Sequence, residues 1–135
     1  MKPIEHRTTH TFDESLEAIK TAILNSGMTI FAEIDHAEAA REHGMSMLET
    51  RVVVYGNPVV GTPVMVDTPL AALDLPLKML VRELPGDRSA IAYHPVSQMF
   101  ETLGVKGPEA ARFDTVQGKI AEAVGVFRIP AELPG

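Results

Sequence analysis

The chain has 135 residues, 45% of them hydrophobic and 22% charged, with 12 basic against 18 acidic side chains, a formal net charge of −6 and no cysteine. That length suits one domain burying about 70% of its unfolded surface, with no metal or disulfide needed to hold the core. The missing cysteine excludes a disulfide, a thiolate nucleophile and a Cys-based zinc or iron–sulfur site, and the acidic balance with scattered Lys and Arg argues against a nucleic-acid partner.

Taken in chain order, residues 3–10 read as a strand with Ile4, His6, Thr8 and His10 on one face and Glu5, Arg7 and Thr9 on the other. Thr11 and Glu14 have capping-box spacing and open a helix whose apolar face is Phe12, Leu16, Ile19 and Ile23. Asn25-Ser26-Gly27 ends it with glycine at the expected place. Met28 to Ile34 is a short apolar strand. Asp35 then caps a short helix from His36 to His43, which Gly44 terminates.

Arg51 to Tyr55 is a β-branched strand, followed by a turn at Gly56-Asn57-Pro58. Val59 to Val66 contains Gly61 and Pro63 and reads as a loop or interrupted strand, with Pro63 at an edge, a strand start or a bulge. Thr68 to Asp74 is a turn with one helical turn, Leu75 to Glu83 a strand, and Pro85-Gly86-Asp87-Arg88 a hairpin connection into a strand from Ser89 to Tyr93. Pro95 to Leu103 is a helix with Val96, Met99, Phe100 and Leu103 at helical spacing. Pro108 opens another that faces Phe113, Val116, Ile120 and Val124 inward, and the tail from Arg128 to Gly135 is irregular.

Helices at both ends of a mainly antiparallel meander define an α+β domain with helices on one face of the sheet. No repeat or linker divides residues 1–135. Met1-Lys2-Pro3-Ile4-Glu5-His6-Arg7 offers no apolar run for a signal peptide, and no stretch approaches the about 20 apolar residues of a membrane span. The expected location is cytoplasmic, with no membrane partner.

Several uncommon blocks occur together: Glu33-Ile34-Asp35-His36-Ala37, Gly56-Asn57-Pro58, Gly61-Thr62-Pro63 and Ala72-Leu73-Asp74-Leu75-Pro76-Leu77-Lys78. In that order and spacing they resemble the family known as domain of unknown function 302. The resemblance covers roughly residues 3–103, with the helix over 108–124 as an addition. It implies a fold similar to a TATA-binding-protein half-domain, in strand–helix–four-strand–helix order, and a homodimer. It supplies no catalytic residues. The chain departs from the pattern at Glu49-Thr50, where the family often has Pro-Thr, at Arg82, where an aromatic is usual, and at His94-Pro95, where Asp-Pro is common.

The ligand-binding candidates are Asp35, His36, Asn57, Asp74 and Lys78, polar residues at the ends of apolar runs. Each also has a purely structural reading. Asp35 is a helix cap and His36 an exposed first helical residue. Asn57 suits a positive-φ turn or an Asx-turn before Pro58, and Asp74 braces its turn with Lys78 as an ionic partner. If His36, Asn57, Asp74 and Lys78 converge, they line a pocket for a small anion.

The expected function is a homodimeric domain that binds a small ligand or a protein partner, without a cofactor. One alternative is an enzyme in which Asp35 orients His36 as a base and Lys78 acts electrostatically. Another is a copper(I)-type site from His36, His43, Met45 and Met47. No phosphate loop is present, since the prolines flanking Asn57 and Gly61 remove backbone donors, and no Gly-x-Ser-x-Gly elbow occurs.

Overall fold

A computed structural model describes residues 2–105 and 109–125. The elements follow as β1 (Ile4–Thr8), α1 (Phe12–Asn25), β2 (Thr29–Asp35), α2 (His36–Glu42), β3 (Thr50–Gly56), α3 (Pro58–Asp67), a 3-10 turn (Pro69–Leu73), β4 (Leu77–Leu84), β5 (Arg88–Tyr93), α4 (Val96–Leu103) and α5 (Glu109–Glu122). All strand pairs are antiparallel, in the order β1-β5-β4-β3-β2. This is the α+β architecture read from the sequence. The predicted residue 108 start of the last helix and the 128–135 tail lie outside the described residues.

Sequence-adjacent β1 and β2 occupy opposite edges of the sheet, so α1 must cross it. Four inter-strand spacings amount to about 19 Å, and 14 residues of helix extend about 21 Å. The capping box fixes the start of that crossing: Thr11 accepts from the Glu14 backbone N–H and Glu14 accepts from the Thr11 N–H. Phe12, Leu16, Ile19 and Ile23 face the sheet and are buried.

Cross-strand register places Tyr55 opposite Leu77, Val53 opposite Met79 and Val81 opposite Ile91. These residues share the helix-facing side of the sheet and form the core with α1 and with Val96, Phe100, Phe113 and Ile120. At the α4–α5 contact, Phe100 and Phe113 meet edge to face with centroids 5.4 Å apart, a favoured aromatic geometry.

Pro95 precedes α4 and has no side chain to satisfy its first N–H groups. The neighbouring helix supplies them instead. Buried Gln117 accepts from Val96 N–H at 3.1 Å and donates through Nε2 to the His94 carbonyl at 2.9 Å. Asp114 accepts from the Ser97 N–H at 3.0 Å and from its hydroxyl. Side chains of α5 thus cap α4.

The expected loop at Val59–Val66 is instead the helix α3. Its β-branched residues read as strand, but local chemistry favours a helix. Asn57 caps it through Oδ1, which accepts from Val59 N–H at 3.0 Å, and Pro58 takes the tolerated first position. Pro63 sits inside the helix, where it removes one backbone donor. The following strand begins at Leu77 rather than Leu75, because the 3-10 turn and Asp74 precede it.

Two substitutions test this packing in chemical denaturation. Gln117→Ala leaves the buried Val96 N–H and the His94 carbonyl without their side-chain partner, while Asp114 still holds Ser97, and should lower stability by about 1–3 kcal/mol. Tyr55 is fully buried and its hydroxyl has no hydrogen-bond partner among the described residues. Tyr55→Phe should therefore raise stability by about 1 kcal/mol, and a loss would show that the hydroxyl is satisfied.

Candidate functional site

The predicted polar residues separate into two groups at opposite ends of β3. Asp35 pairs in register with Arg51, whereas Asn57 follows Gly56 at the other end of the strand. Five residue steps place these ends about 17 Å apart. His36 therefore does not share a pocket with Asn57, Asp74 or Lys78, and Asn57 lines different clefts from Asp74 and Lys78.

The Asp35 carboxylate is already engaged. Oδ1 accepts from the Glu38 N–H at 2.9 Å and Oδ2 from Arg51 at 2.7 Å. Its pKa is lowered chiefly by the Glu38 backbone bond, with Arg51 and Arg41 adding attraction against a desolvation penalty. His36 is an exposed first helical residue, and no hydrogen bond or ion pair joins it to Asp35 among the described residues. The cap reading holds for Asp35, and the orientation of a His36 base by Asp35 finds no geometry here. His43 turns its Nδ1 to the Ala39 carbonyl at 3.0 Å. Met45 is 61% and Met47 44% exposed, so neither fills the core. No cluster of three His, Cys, Asp or Glu with metal-holding geometry occurs among the described residues.

Beside Asp35 lies an ionic layer beneath α1. A register shift between Ile30 and Ala32 inserts Phe31 and turns Glu33 toward the helix face. There Glu33 meets Lys20 of α1 at 2.9 Å and Arg51 at 3.4 Å, and the Arg51 guanidinium lies 5.9 Å from the centre of the Phe12 ring. The Lys20 hydrogen bond is the main cause holding the Glu33 carboxyl below its usual range.

At the other end, Asn57 has φ −127, so it takes the Asx-turn option and not the positive-φ one. Asp74 and Lys78 are exposed and line a cleft of about 410 Å³ on the open side of the sheet. No ion pair joins them among the described residues, so the expected ionic brace is absent there.

Asn57 instead stands where two apolar clefts meet. The larger, about 590 Å³, lies between the end of α1, the start of α3 and α5, with Met28, Val60, Leu77, Phe113 and Val116 in its walls. The smaller, about 280 Å³, runs beneath α3 past Phe31, Met65, Leu75 and Pro76. Asn57, Leu77 and Phe113 border both. Gly56 forms part of the smaller wall: a Cβ there would meet the Phe31 ring at 3.3 Å and Pro76 at 3.5 Å. Arg112 and Lys119 of α5 stand at the margin of the larger cleft. As two cations on an amphipathic helix, they carry no signal in the sequence that separates them from solvated surface residues.

The fold and these clefts belong to an α+β class of small domain, and comparison with known proteins gives the family. The sequence model described as domain of unknown function DUF302 matches residues 4–125, and the chain belongs to that family. The match runs through α5. The crystal structure of an uncharacterized conserved DUF302 protein from Bacillus stearothermophilus shares the fold, with a TM-score of 0.81 at 16% identity, covering 92% of this chain and 98% of that one. The fluoride-specific ion channels FluC 1 of Brucella suis biovar 1 (strain 1330) and of Brucella abortus biovar 1 (strain 9-941) are each 34% identical over 74 residues, 55% of this chain. The chain spans only 29% and 27% of those two proteins. Among the described residues, no helix is long and apolar enough to cross a membrane.

The ionic layer gives a signed pH dependence. A carboxylate with a depressed folded-state pKa stabilises fully above its unfolded value, about 4.3 for Glu, and that contribution is lost as pH falls through the lower folded value. Glu33→Gln should therefore flatten the loss of stability between about pH 5 and pH 2, measured as urea midpoints across that range. An unchanged acid slope would remove Glu33 from the account.

Proposed function

We propose that this chain is a homodimeric binding domain whose small ligand occupies the paired apolar clefts around Asn57. The observation that carries the reading is the pair of adjoining clefts themselves. The larger, at about 590 Å³, falls within the about 300–1,000 Å³ of small-molecule sites, and its apolar walls surround a few polar groups. Asn57 is the sequence candidate that belongs to this site. Its Oδ1 is held by the Val59 N–H, so the amide group it has left to offer a ligand is the Nδ2 donor.

Dimerisation draws support from the sheet face opposite α1. By register, Ala32, Ile34, Val52, Leu80, Ala90 and Ala92 lie there. Small side chains on β5 let Arg82 of β4 reach across it to Glu5 of β1, in two bonds of 3.0 Å. A face with apolar residues and both signs of charge suits a self-complementary two-fold contact. The partial likeness to longer channel proteins fits a module that also occurs within larger chains, where pore formation would rest on other segments.

Titration with a neutral apolar fluorophore such as Nile red tests the cleft. The expected result is saturable binding near one probe per chain, abolished by Val60→Trp with thermal stability unchanged. Binding that survives Val60→Trp, or no saturable binding, would overturn the reading. Sedimentation at micromolar concentration should give twice the chain mass, and a monomer would remove the dimer.

A further inference from the structure

We infer that the larger cleft selects a free amphipathic carboxylate, with its apolar body between α3 and α5 and its head group beside Arg112 and Lys119; this rests on the cleft being a ligand site. Selection follows from the charges at its margin. The chain carries a net charge of −6, yet among the described residues that line this cleft the charged ones are both cations and none is acidic. In a protein with more acids than bases, that local reversal sets the sign of the ligand.

The two cations are seven residues apart on α5, close to two full turns, so they project from one side of the helix about 10 Å apart along its axis. Both are exposed, and neither enters an ion pair among the described residues. Their charges are therefore available to an incoming anion without breaking an internal bond. Asn57 lines both clefts and its Oδ1 is taken by the Val59 N–H, so an acceptor atom on the ligand suits its remaining amide donor better than a second donor.

The walls ask for an apolar body. Met28, Val60, Leu77, Phe113 and Val116 present thioether, aliphatic and aromatic surface. Methionine adapts to chains of varied shape, and the passage past Leu77 and Phe113 into the smaller cleft gives a longer chain room to extend. A fully polar anion would leave that surface unsatisfied, and a neutral hydrocarbon would leave both cations unused. An amphiphile with one carboxylate meets both demands.

Three probes of equal chain length, octanoate, 1-octanol and octyltrimethylammonium, separate the contributions by calorimetry or by displacement of Nile red at pH 7.5. Octanoate should bind about tenfold tighter than octanol, with the cation weakest. The double substitution Arg112→Met and Lys119→Met keeps the apolar stems and should bring octanoate to the octanol level while octanol binding stays. Added salt should weaken octanoate alone. If octanoate and octanol bind equally, or if the preference survives the double substitution, the anion selectivity is overturned while the cleft reading stands. If none of the three probes binds and Nile red also fails, both are overturned.

Discussion

The two edge strands of the sheet, β1 and β2, are consecutive in sequence, so their connection must span the full width. A helix of 14 residues is barely longer than that span. α1 therefore has no spare length with which to cover the far corner of the sheet. It stops at Asn25, and Ser26 and Met28 immediately border the larger cleft. Helices α3 and α5 approach from either side, and Phe113 of α5 reaches the core between them. The cleft is a consequence of topology before it is a matter of particular side chains.

The same crossing explains the charged layer. Glu33 and Asp35 lie on the helix-facing side of an edge strand, where both carboxylates stay partly open to solvent. Lys20 comes down from α1 and Arg51 comes across from β3, so each carboxylate gains a cation. Individually such pairs contribute little; Arg51 ties β3 to two carboxylates of β2, and Lys20 ties α1 to one of them. The opposite face uses a different device. Arg82 reaches Glu5 over the small Ala90 and Ala92.

Much of the fold was legible because its local signals agree with its tertiary ones. The Thr11–Glu14 capping box, the Phe12-Leu16-Ile19-Ile23 stripe and the Asp35 cap each rest on short-range chemistry that the structure retains. Residues 59–66 read as a loop or interrupted strand because Val59, Val60, Val64 and Val66 have strand propensity and Pro63 looks disruptive. The cap from Asn57 and the placement of Pro58 outweigh both. The α5 capping of α4 was invisible, since Gln117 acts on a residue 21 positions away.

The candidate site was legible in part and for a similar reason. Asn57 was found through its turn chemistry, but its place between two clefts depends on α5 and β2. His36, prominent in the sequence, sits at the other end of β3. Arg112 and Lys119 matter only through what faces them, and spacing along one helix does not reveal that.

The central claim is that the corner left open by α1 is a ligand site. Its most direct test is a two-dimensional amide NMR titration of the intact chain with octanoate. Shift changes should saturate together and concentrate on Phe31, Asn57, Phe113, Val116 and Lys119, leaving His36 and the rest of α2 unmoved. Changes centred on α2, or scattered without saturation, would contradict the account.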